Sequence, residues 1–141
     1  MSRDRLDILF KKYESAFNKL DLKTITGYYA DAFLSAGPKG VVAQNQSDFS
    51  DNAEQVANFY RSAGLTSGKI VSKRIMPICD KYSMVVVRWG LVFEKTGSTP
   101  VEFDISYFVF ENDNEEKIIL YISHEDEETT MKKLGILPRD K

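Results

Sequence analysis

The chain has 141 residues, the size of one domain with a sizeable core, and 19 basic against 21 acidic residues leave a net charge of −2. That balance supplies no basic field for nucleic acid or for an anionic membrane surface. A single cysteine, Cys79, excludes an internal disulfide, and with no secretory signal pattern and no apolar run of membrane-spanning length the expected setting is the cytoplasm.

The first element is an amphipathic helix. Leu6, Leu9, Phe10, Tyr13, Ala16, Phe17 and Leu20 recur at spacings of three and four, with Arg5, Lys11, Lys12, Glu14 and Lys19 on the other side. Asp21 is placed to cap a second, shorter helix that turns Leu22, Ile25, Tyr28 and Tyr29 inward, and Gly27 leaves that helix dependent on packing. Phe33 to Ala36 reads as a short strand, Gly37-Pro38-Lys39-Gly40 as a turn, and Val41 to Ala43 as its partner strand. A third helix capped by Asp48 or Ser50 carries Phe49, Ala53, Val56, Ala57, Tyr60 and Ala63 and stops at Gly64.

From Ile70 to Asp126 the pattern changes to runs of β-branched and aromatic residues, read as three long strands joined by two hairpins, one around Gly97 and one over Glu111 to Glu116. The acidic run Glu125-Asp126-Glu127-Glu128 then opens a short terminal helix over Thr129 to Leu134, with Lys132 and Lys133 in its last turn and Pro138 beyond it. As a solvated helix start, this run lacks the spacing of a cation-binding loop. The order of elements predicts a single α+β domain over residues 1–141, with a mainly antiparallel sheet covered by helices on one face.

No Gly-rich phosphate loop, dinucleotide fingerprint, nucleophile elbow or paired Cys/His ligand set occurs, so neither a cofactor nor a metal is expected. Cys79 reads as a small hydrophobe at a strand end.

The element order, and the stretch Lys12-Tyr13-Glu14-Ser15-Ala16-Phe17-Asn18-Lys19-Leu20-Asp21-Leu22-Lys23-Thr24-Ile25 in particular, which looks like the first two helices of ketosteroid isomerase, resembles the nuclear transport factor two-like superfamily, the cone-shaped, cystatin-like α+β fold of that isomerase, scytalone dehydratase and the SnoaL-like polyketide cyclases. The resemblance spans about Leu6 to Asp126. It implies three helices on a curved sheet with a pocket between them, Tyr13 in the place of the isomerase's oxyanion-binding tyrosine, and Tyr29 and Tyr60 where some isomerases hydrogen-bond that tyrosine. The isomerase's general base would fall in Ser35-Ala36-Gly37-Pro38, which has no carboxylate, and its second oxyanion donor would fall at Ser106. Double-bond isomerisation by that mechanism is therefore disfavoured.

With the same register, strand alternation places Asp104, Ser106, Phe108 and Phe110 on the pocket face together with Trp89, Leu91 and Phe93. Ile105, Tyr107, Val109, Arg88 and Val92 then face outward. The expected pocket is an aromatic cup tipped by Tyr13 and Ser106 and lined by Tyr29, Tyr60, Trp89, Leu91, Phe93 and Phe108, with Asp104 at its mouth. His124, the one histidine, is a further candidate base.

Three functions stay open on these residues. The first is binding of a small, mainly apolar or polycyclic molecule. The second is a lyase, isomerase or cyclase with Asp104 or His124 as base and Tyr13 as oxyanion donor. The third is a ligand-free interaction module. Apolar residues on both faces of the last strands point to a homodimer through the outer sheet face in every case.

Overall fold

The structure, a computed structural model, describes residues 3–136. In chain order its elements are α1 (Arg3–Asn18), α2 (Leu22–Thr26), β1 (Tyr29–Gly37), β2 (Gly40–Asn45), α3 (Gln46–Asp51), α4 (Ala53–Ser62), β3 (Leu65–Cys79), β4 (Tyr82–Phe93), β5 (Val101–Glu111), β6 (Glu116–Ser123) and α5 (Glu127–Lys133). The strands form one six-stranded sheet in the order β2-β1-β6-β5-β4-β3, antiparallel throughout except where β1 runs parallel to β6. This is the cystatin-like α+β architecture expected from the element order.

The stripe of α1 folds as its spacing dictates: Leu6, Leu9, Phe10, Tyr13, Ala16 and Phe17 are all buried. They pack on the sheet through ring contacts such as Phe10 with Tyr107, 5.1 Å between centroids, and Tyr13 with Trp89, 5.7 Å. Asp21 caps α2 by accepting from the Thr24 amide at 3.3 Å.

The second helix is shorter than expected. It ends at Thr26, and Tyr29 already begins β1, because Thr24, Ile25, Thr26 and Gly27 are poor helix formers and the Tyr28 carbonyl is taken by the Ile118 amide of β6 at 2.9 Å. The expected third helix divides at Asn52 into α3 and α4. Asn45 caps the first of these through the Asp48 amide at 2.8 Å, and the Asn52 side chain closes it by donating to the Asp48 carbonyl at 2.9 Å. Gly64, with φ of 82°, follows the end of α4 as the sequence suggested.

The region read as three strands contains four. Leu65–Cys79 is a full strand, and a two-residue turn at Asp80-Lys81 reverses it into β4, pairing Cys79 with Tyr82. Between β4 and β5, a short 3-10 turn at Glu94–Thr96 leads into a loop that sets the register opposite to that inferred from Gly97. Trp89 pairs with Phe103, Val87 with Ile105 and Arg88 with Asp104. Residues directly opposite one another share a face, so the inner face carries Trp89, Leu91, Phe103, Ile105, Tyr107 and Val109. Asp104, Ser106, Phe108 and Phe110 lie with Arg88 on the outer face. The β5 assignments made from the sequence are thus inverted, while those of Trp89, Leu91, Arg88 and Val92 stand. Pro138 lies outside the described residues.

Candidate functional site

Between the helices and the inner face of the sheet is a cavity of about 560 Å³. α1 supplies Tyr13 and Phe17, β1 supplies Tyr29, Phe33 and Ser35, α3 and α4 supply Phe49, Val56 and Tyr60, and the sheet supplies Trp89, Leu91, Phe103, Ile105, Tyr107 and Tyr121. The wall is a chain of rings in contact. Phe49 meets Tyr29 at 5.1 Å, Tyr29 meets Tyr13 at 6.4 Å, Tyr13 meets Trp89 at 5.7 Å, Trp89 meets Phe17 at 5.5 Å and Phe17 meets Tyr60 at 5.2 Å between centroids.

Hydrogen-bonded polar groups meet these rings at two places, and Ser35, Gln44, Asn45, Asp48 and Asn52 add further polar side chains to the lining. At the first, the Tyr13 and Tyr29 hydroxyls share a hydrogen bond of 2.9 Å, and the Trp89 indole N–H donates to the Tyr107 hydroxyl at 3.0 Å. Burial pushes the Tyr13 phenol up to about 12, with hydrogen bonding to Tyr29 and Tyr107 working against that rise. It is therefore a neutral hydroxyl, a donor rather than a base, across the physiological range. Burial likewise holds Tyr29 and Tyr107 well above the ordinary tyrosine range.

At the second place, Tyr60 donates to Oε2 of Glu127 at 2.9 Å. Glu127 is the first residue of α5, which Asp126 caps through the Thr129 amide at 3.2 Å. Burial raises the Glu127 carboxyl above the usual range, an effect the Tyr60 hydrogen bond partly offsets. The half-buried Glu127 lines the cavity. The sequence reading placed it on a solvated helix start. The phase of α5 carried the contrary signal: Glu127 and the buried Met131 are four residues apart and so share a face.

Of the residues expected at the pocket, Tyr13, Tyr29, Tyr60, Trp89 and Leu91 line it. Phe93 is fully buried but takes no part in the lining. Ser106, Phe108 and Asp104 do not reach it, because the β5 register turns them to the opposite face of the sheet. His124 joins them there: its Nε2 lies 2.8 Å from Ser106 Oγ, and its backbone amide donates to the Asp104 carbonyl at 3.0 Å. Asp104 itself forms a two-pronged ion pair with Arg88, at 2.9 and 3.1 Å, which holds its carboxyl below the ordinary range. Neither Asp104 nor His124 faces the Tyr13 hydroxyl. Phe17, Phe33, Phe49, Phe103, Ile105, Tyr107, Tyr121 and Glu127 are lining residues that the sequence reading did not place there.

The segment Ser35-Ala36-Gly37 brings no carboxylate to the cavity, and Ser35 instead hydrogen-bonds Tyr121. Among the described residues no group of three or more His, Cys, Asp or Glu side chains is arranged to hold a metal ion. No helix among them is long and apolar enough to cross a membrane.

A cavity lined by phenols between α1 and a six-stranded sheet defines the nuclear transport factor two-like class. Residues 4–126 match the family model described as NTF2-like protein (DUF6841), and the chain belongs to that family. Among solved structures, it is similar to an NTF-2 like protein of unknown function from Shewanella oneidensis MR-1, with 21% identity and a TM-score of 0.68 over 89% of this chain and 100% of that one. It is also similar to a ketosteroid isomerase-like protein from Erwinia carotovora atroseptica SCRI1043, with 13% identity and a TM-score of 0.61 over 86% and 93% of the two chains. A third, the yeast UBP3-associated protein BRE5, shares 14% identity and a TM-score of 0.66 over 88% and 97%. At these identities the likeness concerns the fold. Among curated proteins none matches the sequence significantly.

Proposed function

We propose that this protein binds a small, largely apolar molecule in the cavity between its helices and sheet. The observation that carries this reading is the cavity itself: about 560 Å³, walled largely by aromatic and aliphatic side chains, with polar groups from β1, β2, α3 and α5 among them. Ligand pockets run from about 300 to 1,000 Å³ with that kind of lining. The Tyr13 hydroxyl is the donor placed to meet a ligand carbonyl or hydroxyl. The alternative enzymatic reading drew its base from Asp104 or His124, and both lie on the far side of the sheet. The ketosteroid isomerase base has no counterpart at Ala36 or Gly37, neither of which can take a proton.

Calorimetric titration with 1-naphthalenemethanol, a rigid bicyclic alcohol, tests the reading. Saturable one-to-one binding is expected, lost when Val56→Phe fills the cavity from α4. Equal heats from both proteins would contradict it.

We also propose that the chain forms a homodimer through the outer sheet face. Leu34, Met76 and Tyr82 are exposed there, and Met84, Val86, Phe108, Phe110, Leu120 and Ile122 are partly so, on a face that no described helix covers. The residues on this face differ from those expected, since Ile105, Tyr107 and Val109 point inward.

A further inference from the structure

The charged groups of the cavity are of one sign. Its charged lining residues among those described are Glu127, half-buried beside Tyr60, and Asp48, exposed at the start of α3; no lysine, arginine or histidine among the described residues lines it. The two sequence neighbours of Glu127 are matched. Asp126 pairs with Lys39 at 3.1 Å and Glu128 with Lys132 at 3.2 Å. Glu127, between them in sequence, has no Lys or Arg within ion-pair distance among the described residues, and its hydrogen bond comes from the neutral Tyr60 hydroxyl.

Aromatic rings line the same cavity as this carboxylate. Tyr60 is stacked edge-on against Phe17, and Phe17 adjoins Trp89, which adjoins Tyr13. The negative faces of such rings attract a cation, tryptophan most of all. A carboxylate without a counter-ion in an aromatic cavity is an electrostatic demand that a neutral ligand leaves unmet and an anionic one worsens.

We propose that the ligand carries a protonated amine on an apolar body, its ammonium held between Glu127 and the faces of the surrounding rings. This deepens the ligand-binding reading and rests on it. The ammonium supplies the counter-charge that no described Lys or Arg brings within ion-pair distance of Glu127, and the rings take both the cation and the apolar body. The raised proton affinity of Glu127 is the burden that an ammonium relieves, since a bound cation favours the ionised carboxyl.

The test uses three probes of one shape in calorimetric titration at pH 7.5: 1-naphthylmethylamine, 1-naphthalenemethanol and 1-naphthoate. The amine is expected to bind about tenfold or more tighter than the alcohol, and the carboxylate more weakly than both. In Glu127→Gln, which keeps the shape and the acceptor for Tyr60, the amine-to-alcohol ratio is expected to fall to about twofold. Equal affinity of amine and alcohol in the unaltered protein overturns the ammonium proposal and leaves the cavity reading standing. A preference for the amine that survives Glu127→Gln overturns the role of Glu127. Failure of every probe to bind overturns both readings.

Discussion

Tyr60 and Glu127, 67 residues apart in sequence, share a hydrogen bond of 2.9 Å that ties α4 to the start of α5 at the wall of the cavity. It puts a carboxyl group among aromatic rings, where burial favours the protonated form. The consequence for stability has a definite sign. A carboxyl whose folded pKa lies above its unfolded value of 4.5 contributes fully below that value, and its contribution is lost as pH rises through the folded pKa. Glu127→Gln is therefore expected to be more stable than the parent at pH 8, with the gain vanishing near pH 4. Thermal unfolding of the two proteins at both pH values checks this. A loss of stability at pH 8 would contradict it.

The Tyr13–Tyr29 pair makes the opposite demand. Tyr13→Phe leaves the Tyr29 hydroxyl buried without the partner it holds at 2.9 Å, and the cost is expected to be about 1–2 kcal/mol. Tyr13→Phe combined with Tyr29→Phe removes both hydroxyls of the pair, and the Tyr13 contact with Tyr107 is lost equally in the Tyr13→Phe single variant and the double variant, so the double variant is expected to lose less than the sum of the single ones. Urea unfolding of the four proteins in the cycle measures the coupling; strict additivity would show that the hydroxyls do not depend on each other.

Much of the fold was legible because single-element signals are local. The stripe of α1, the Asp21 cap, the Gly64 stop and the strand-rich second half all depend on neighbours within a few residues. The side-chain direction of β5 was not legible. It depends on the register across the loop following β4, and a change of one residue in that register inverts every assignment, sending Ser106 outward and Tyr107 inward. Within the site, Tyr13, Tyr29 and Tyr60 were found through the family resemblance and Glu127 was missed, because a run of four acids reads as a solvated helix start until Met131 fixes its phase.

The outer sheet face supplies a separate prediction. Phe108→Glu puts a charge in the middle of the exposed apolar surface and is expected to yield monomers in sedimentation where the parent sediments as a dimer. Asp104→Asn and His124→Ala, on that same face, are expected to change affinity for 1-naphthalenemethanol by less than about twofold, since neither side chain reaches the cavity. A monomeric parent at micromolar concentration would refute the dimer, and a large affinity loss in either substitution would return those residues to the site.

Gly68 guards the shape of the cavity from β3. A methyl group there would overlap the Phe17 ring and approach Leu91 Cδ2 at 3.0 Å, while Asn18 donates to the Gly68 carbonyl at 2.5 Å and accepts from its amide at 2.9 Å. With α1 fastened to this segment, Phe17 has little room to withdraw except into the cavity. Gly68→Ala is expected to cost about 1–3 kcal/mol in chemical unfolding and to weaken binding of the bicyclic probes. Unchanged stability and affinity would show that the ring moves freely.

The most direct measurement is a crystal structure of the protein grown with 1-naphthalenemethanol. The account predicts density for the bicyclic ring between α1 and the sheet, against Trp89 and Phe17, with its hydroxyl in reach of Tyr13 or Tyr60. Rings closed on one another with no space between them, or density for the probe only on the outer face, would contradict it.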